Sequence, residues 1–140
     1  AIGKISQALS LHANEAYDEL DRQEKEIAEI LFKNITEKNA ENNEMRRPGR
    51  ISEIAELAQV SEEKVIEVVE KFRMPGRSFL LPGVHVTLTR DSIIELAHES
   101  LMRIWTRLAI WVEEEYESAV MYKRVSDAAA MYQVGKTSLW

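Results

Sequence analysis

The spacing of apolar residues between Ile51 and Phe72 leaves this chain few folds to choose from. Ile51, Ile54, Ala55, Leu57 and Ala58 recur at helical intervals, Gln59-Val60-Ser61 interrupts them, and Val65, Ile66, Val68, Val69 and Phe72 resume the period. Ser61 suits a helix start, because its hydroxyl can accept a bond from an unpaired amide of the first turn. A small residue, Ala55, stands where two helices must approach closely, and Val60, Val65 and Val68 can hold the turn and the second helix on the first. This is helix-turn-helix spacing over residues 51–73, with Gln59 at a position where glycine is common.

Beyond Met74-Pro75-Gly76 the pattern turns β-like in three short runs: Phe79 to Leu81, Val84 to Thr89 and Ser92 to Ala97. Val84, Val86 and Leu88 alternate with His85, Thr87 and Thr89, as in a strand with one buried face. Only Arg90 and Asp91 separate the last two runs, which predicts a hairpin. A helix-turn-helix followed by a hairpin is a winged helix, with its wing over residues 79–97.

The flanks read as helical. Ile5, Ala8, Leu9, Ala13, Ala16 and Tyr17 predict a helix over residues 4–18, with His12 near its apolar stripe as a packing histidine. Ile27, Ile30, Leu31 and Ile35 predict a second over 21–35, capped by Asp21 with Glu24 as its capping-box partner. Thr36 to Glu44 is polar and carries three Asn, so it reads as a loop and a candidate for disorder. After the wing, Leu101, Ile104, Trp105, Leu108, Trp111 and Val112 trace a broad stripe on a helix reaching about Tyr116, and a further helical segment runs from about Ser118 to Gln133 with Val125, Ala128, Ala129 and Tyr132. Two tryptophans are more apolar area than a free surface helix should show, so this helix packs across the winged helix or uses Trp105 and Trp111 to dock a partner. The expectation is a mainly α fold with a small β-wing: residues 1–99 as N-terminal helices and winged helix, and 100–140 as a helical extension that packs on it or links to a downstream domain.

Several function classes fall away. With no cysteine there is no disulfide, thiol catalysis or cysteine-ligated zinc, and only three histidines remain for metal work, so no metal site is expected. No run approaches the roughly 20 apolar residues of a membrane span and no signal-peptide layout opens the chain, which points to the cytoplasm and away from membranes. The start at Ala1 and the end at Trp140 suggest a piece of something longer.

The helix-turn-helix invites a DNA-binding reading, as a regulator dimerising through residues 100–133. Its charges oppose it: across Arg50 to Arg73, four basic residues face six acidic ones, and Glu62 and Glu63 open the second helix, where the major groove would be read. No DNA partner is expected. Ala130 to Thr137 imitates a phosphate-binding loop, with Ala for the first Gly, but a helix precedes it where a strand should feed it. Glu113, Glu114 and Glu115 are consecutive and point in different directions on a helix, and His85 sits on a polar strand face, so no catalytic residue is expected.

Two features remain. Arg46-Arg47-Pro48-Gly49-Arg50 packs three arginines into five residues, either as a solvated turn paired with acidic neighbours or as a phosphate or partner contact. Ile94 to Leu101 is a corner where a β-run turns into a helix, with His98 and Glu99 on it. A helix start gathers unpaired N–H groups, so a ligand there would be anionic, and His98 is either bonded to nearby backbone or available to a ligand.

Gln7 to Glu15, the Arg46-Arg47 pair, and Ala97-His98-Glu99-Ser100-Leu101 with Trp105, Leu108 and Trp111 resemble the segment that follows the nucleotide-binding core in STAND-class P-loop NTPases, signalling ATPases with many domains. Ser138-Leu139-Trp140 is similar to the stretch leading to the WD-repeat or TPR arrays of bacterial members. In the wider class the winged helix carries a Met-His-Asp motif whose histidine touches the β-phosphate of ADP, and Leu96 to Leu101 resembles it, with Ala97 before the histidine and Glu99 for the aspartate. The resemblance implies a non-catalytic regulatory module that closes on an NTPase core of the same chain and senses ADP against ATP through His98, with Arg46 and Arg47 as possible secondary contacts. It implies no cofactor in this segment but ADP or ATP in the parent protein, a downstream repeat domain as partner, and a possible homo-oligomer.

Overall fold

The computed structural model describes the backbone of residues 2–41, 43–75 and 77–138, and the side chains of residues 7–41, 43–75 and 77–122. The chain runs α1 (Ile2–Asp18), α2 (Arg22–Asn34), β1 (Thr36–Lys38), β2 (Glu44–Arg46), β3 (Gly49–Arg50), α3 (Ile51–Ala58), α4 (Glu62–Arg73), β4 (Leu80–Leu81), β5 (Ile93–Leu96), α5 (Leu101–Ile104) and α6 (Thr106–Ser138). It is mainly helical with small antiparallel sheets, as expected.

Local chemistry explains most of these boundaries. The capping box forms: Glu24 N donates to Asp21 Oδ1 at 2.8 Å and Asp21 N to Glu24 Oε1 at 3.1 Å. Ser61 caps α4, accepting from Lys64 N at 3.4 Å. Between α3 and α4, Gln59 takes the left-handed conformation, φ 58° and ψ 44°, and its amide returns to the carbonyls of Ala55 and Glu56. That conformation costs a side-chain-bearing residue about 1–2 kcal/mol. Gln59→Gly is therefore expected to raise the melting temperature by about 2–5 °C, after about 0.5–1 kcal/mol is lost to greater freedom of the unfolded chain. A thermal melt in which Gln59→Gly fell below wild type would contradict this.

The sheet departs from expectation. β5 is central in the order β3-β5-β4, pairing Gly49 with Ile94, Arg50 with Ile93, Leu80 with Leu96 and Leu81 with Glu95. The break expected at Arg46 to Arg50 thus supplies an edge strand. Gly49 permits it, because a Cβ there would lie 2.5 Å from Asn34 Oδ1 and 2.9 Å from Ile35 Cγ2. Val84 to Thr89, expected as a strand, is part of the loop between β4 and β5, so Arg90-Asp91 turns no hairpin. Of its three alternating apolar residues only Leu88 is buried, while Val84 and Val86 are 52% and 38% exposed. The loop has other work: the carbonyls of Ser92 and Arg90 accept the first amides of α3, from Ile51 and Ser52, at 3.0 and 2.9 Å.

The polar stretch Thr36 to Glu44, expected as a loop and a candidate for disorder, forms the arms of a β1–β2 hairpin with Thr36 opposite Arg46 and Lys38 opposite Glu44. Thr36 is buried, its hydroxyl donating to Phe32 O at 2.5 Å, and Asn39 Oδ1 builds the turn by accepting from Glu41 N and Asn43 N. The asparagines are turn chemistry.

One core holds the elements together. Ala13 and Ala16 of α1, Leu31 and Phe32 of α2, Ile54 of α3, Val68 and Phe72 of α4, Ile94 and Leu96 of β5, Leu101 of α5 and Trp105, Leu108 and Val112 beyond it form one buried cluster. The expected division at 99/100 does not interrupt this core, and Leu101 to Val112 pack on the domain. The expected helix from 101 to 116 breaks at Trp105 (φ −86°, ψ 105°), and its remainder runs without interruption through the segment expected from 118 to 133 as one helix, α6. Ala130 to Thr137 lie in helical backbone, whose amides turn inward along the helix axis. Val125, Ala128, Ala129 and Tyr132 lie outside the described side chains, and Leu139 and Trp140 outside the described residues.

Candidate functional site

The corner after β5 is built by parity. Ile94 and Leu96 point inward and Ile93 and Glu95 outward, so the strand is pinned through its buried face to its last residue. Ala97 N donates to Phe79 O at 2.9 Å, and Leu101 and Met102 return the chain to the core. His98, Glu99 and Ser100 are left exposed on a short arch anchored at both ends.

The arch closes on itself through backbone: Leu101 N donates to His98 O and Met102 N to Glu99 O, each at 3.1 Å. Among the described residues, the His98 imidazole takes part in no hydrogen bond or ion pair, so of the two readings the bonded one finds no partner. The dipole expected beside it is smaller than the sequence suggests. The helix that starts at the arch is the four-residue α5, without a side-chain cap from Ser100, and the long helix begins only at Thr106.

Arg46 and Arg47, adjacent in sequence, part company. Arg46 ends β2 and turns to the arch, where Nη1 donates to Leu96 O at 3.2 Å and, at the limit of bonding, to Ala97 O at 3.5 Å, while Nε lies 3.5 Å from Glu99 Oε1. Arg47 turns the other way, its Nε donating to Asn34 O at 2.6 Å and its amide to Ile35 O at 3.0 Å, which satisfies carbonyls at the end of α2. The structure thus brings Arg46, and not Arg47, to the arch that carries His98. Arg50, the third arginine of the cluster, is in β3.

Trp105 and Trp111 are not a docking face. Trp105 is fully buried and Trp111 4% exposed, packed on Phe32 and on each other. His12 is exposed with Nδ1 3.5 Å from Glu15 Oε2, so it does not pack; His85 is exposed as expected. Glu113 and Glu114 do diverge, toward Lys38 and Lys33. On the face a DNA-reading helix would present, Glu62 lies 3.8 Å from Arg90 Nε of the loop before β5.

Sequence reasoning missed the charges of the hairpin. Lys38 bonds Glu113, and this carboxylate, with Glu44 and Tyr116 adding to its effect, holds the lysine above its ordinary pKa against the opposing cost of desolvation. Glu44 Oε2 is buried without a hydrogen bond and faces Arg103 Nε at 3.8 Å. The signal was present in two charged triplets, Thr36-Glu37-Lys38 and Glu44-Met45-Arg46, but the asparagines between them read as loop.

Among the described residues, no helix is long and apolar enough to cross a membrane, and no three His, Asp or Glu are grouped to hold a metal ion. A family model described as Novel STAND NTPase 1 matches residues 1–138. No curated protein and no solved structure matches the chain.

Proposed function

We propose, from the premise that this chain belongs to the Novel STAND NTPase 1 family, that it is the non-catalytic regulatory module that closes on a nucleotide-binding core and senses ADP through His98. The observation that carries this is the exposed imidazole of His98, which among the described residues takes part in no hydrogen bond or ion pair, on an arch anchored at both ends. A side chain so held meets a ligand without first breaking a bond and without the ordering cost of a mobile loop.

With the β1–β2 hairpin set aside as an insertion, the order helix, strand, helix, helix, strand, strand (α2, β3, α3, α4, β4, β5) supports the winged-helix reading, with β5 leading to His98 at the end of the three-stranded sheet. An imidazole donating to a phosphate oxygen forms a charge-assisted bond of about 1.5–3 kcal/mol. That corresponds to a coupling of roughly 10- to 150-fold between nucleotide state and module position. A full switch between closed and open needs about 5.5 kcal/mol, so the interface between module and core supplies the rest. Because the buried residues between Leu101 and Val112 belong to the same core as Ile94 and Leu96 of β5, a movement of the module carries the start of α6 with it as a rigid body.

The test is nucleotide affinity in a STAND NTPase that carries this module. His98→Ala is expected to weaken ADP by about 10- to 100-fold and to leave ATP little changed. Unchanged ADP affinity together with an unchanged preference for ADP over ATP would remove the role. Salt-dependent binding of duplex DNA near physiological ionic strength, which the acidic α4 argues against, would favour a DNA-binding regulator instead.

A further inference from the structure

The charges of the β1–β2 hairpin divide among three other parts of the fold. Lys38 bonds Glu113 of α6, Glu44 faces Arg103 of α5, and Arg46 reaches the arch through the carbonyls of Leu96 and Ala97 and the carboxylate of Glu99. Each pair keeps one member well open to solvent, Glu113, Arg103 and Glu99, and so holds little individually. Their effect is positional: three charges on one short hairpin, each facing a different element, are satisfied together in only one relative placement of those elements.

Arg46 is the most demanding of the three. Its planar fork meets backbone oxygen through one nitrogen and a carboxylate through another, on the residues either side of His98. An ammonium at the same place could match the charge of Glu99 but would not span both. Lys38, its pKa raised by Glu113, contributes in full below the ordinary lysine range and loses its contribution only as pH rises through the raised value. The α6 end of the hairpin is therefore charged throughout the neutral range.

We infer that Arg46 is a positioning residue for His98, and that the β1–β2 hairpin is the strut that ties the His98 arch to α6. Arg46 does not meet the anion, since its guanidinium is engaged by the arch itself; it acts through the place it gives the imidazole. The functional half of this inference rests on the nucleotide-sensing reading above, and the structural half does not.

Two measurements test it. In the full 140-residue chain, the amides of Leu101 and Met102 report on the arch, because they donate to the carbonyls of His98 and Glu99. Arg46→Gln is expected to speed their hydrogen exchange about ten-fold and Arg46→Lys about three-fold. Lys38→Gln, at the far end of the hairpin, should speed the same amides, whereas Glu29→Gln, which breaks the Lys33 pair outside the hairpin, should leave them unchanged. The Arg46 side chain is 41% exposed, so its variants keep the fold. Unchanged exchange in Arg46→Gln or in Lys38→Gln would overturn the strut. In a STAND NTPase carrying the module, Arg46→Gln should weaken ADP, and Arg46→Gln with His98→Ala should be no weaker than His98→Ala alone, because a residue acting through His98 has nothing left to act on. Additive losses would make Arg46 a separate contact and overturn the positioning role. If His98→Ala alone changed nothing, the nucleotide reading would fall, and the exchange measurement would still decide the strut.

Discussion

Trp105→Ala is expected to remove about 3–5 kcal/mol of stability for the lost side chain, with about 0.5–1.5 kcal/mol more for the lost hydrogen bond to Asn14, which is exposed and regains water. The indole is fully buried, its ring edge-on to Phe32 at 5.2 Å and to Trp111 at 5.6 Å and tilted against Phe72 at 5.9 Å. Its Nε1 donates to Asn14 Oδ1 at 2.7 Å, which ties α1 to the break between α5 and α6. Phe32 touches Phe72, Trp105 and Trp111, so the cavity would open where α2, α4 and α6 meet. Domains of this size hold only about 5–15 kcal/mol in total, so most of the native population is at stake. Urea unfolding would measure this. Trp105→Phe, which keeps a ring but leaves Asn14 unpaired, should lose less than half as much. A loss below about 2 kcal/mol in Trp105→Ala would mean that the tryptophan contributes surface rather than core.

The same residue marks where the sequence was legible and where it was not. Helices α2, α3 and α4 were readable because each has a periodic face and, for two of them, a capping residue whose chemistry is local: Asp21 with Glu24, and Ser61. That Leu101 to Val112 carry an apolar stripe was equally plain. Whether the stripe faces its own chain or a partner was not, because periodicity tells which residues share a face and not what covers it. The break at Trp105 was hidden for a related reason: the indole bonds Asn14, 91 positions away in sequence.

Short strands were the least legible. β3 is two residues long and is a strand only because β5 lies beside it, and Gly49 read as punctuation when its role is close approach to Asn34 and Ile35. The Val84 to Leu88 alternation promised a strand, but a loop that buries only Leu88 satisfies its apolar residues less completely and its turns more fully. Thr89 N and Ser92 Oγ at 2.8 Å, and Val86 N and Gly83 O at 3.0 Å, are turn bonds that no binary pattern encodes. At the site, His98 was legible through its resemblance and its place at the end of a β-run. The divergence of Arg46 from Arg47 was not, since it depends on an unexpected hairpin.

Arg73 gives the second large expected effect, and it concerns the sheet that presents His98. In sequence it counts among the basic residues of the second helix of the helix-turn-helix. In the fold its side chain is 3% exposed, with Nε bonded to Glu70 Oε1 at 2.5 Å and Nη1 to the carbonyls of Gly83 at 2.6 Å and Pro82 at 3.2 Å. One guanidinium thus joins the end of α4 to the chain just after β4. Removing one partner of a buried ion pair costs about 3–5 kcal/mol when the other is left dry. Glu70 is 45% exposed and regains water, which pulls the effect down, while two carbonyls lose their donor, which pushes it up by about 1–3 kcal/mol. Arg73→Met, which keeps the apolar stem, should therefore lose about 3 kcal/mol, whereas Glu70→Gln should lose less than about 1 kcal/mol. The loss should be local before it is global: the Val86 amide, which donates to Gly83 O, should exchange faster in Arg73→Lys under conditions where the amides of α2 remain protected. If α2 and Val86 lost protection together, the β4–β5 loop would not be a separately tethered unit. The same tether bears on His98: β4 holds β5 at Leu96, one edge of the arch, so under the nucleotide-sensing proposal a β4–β5 loop released at Pro82 and Gly83 should also weaken ADP in a STAND NTPase carrying Arg73→Lys, though Arg73 touches neither the imidazole nor its neighbours.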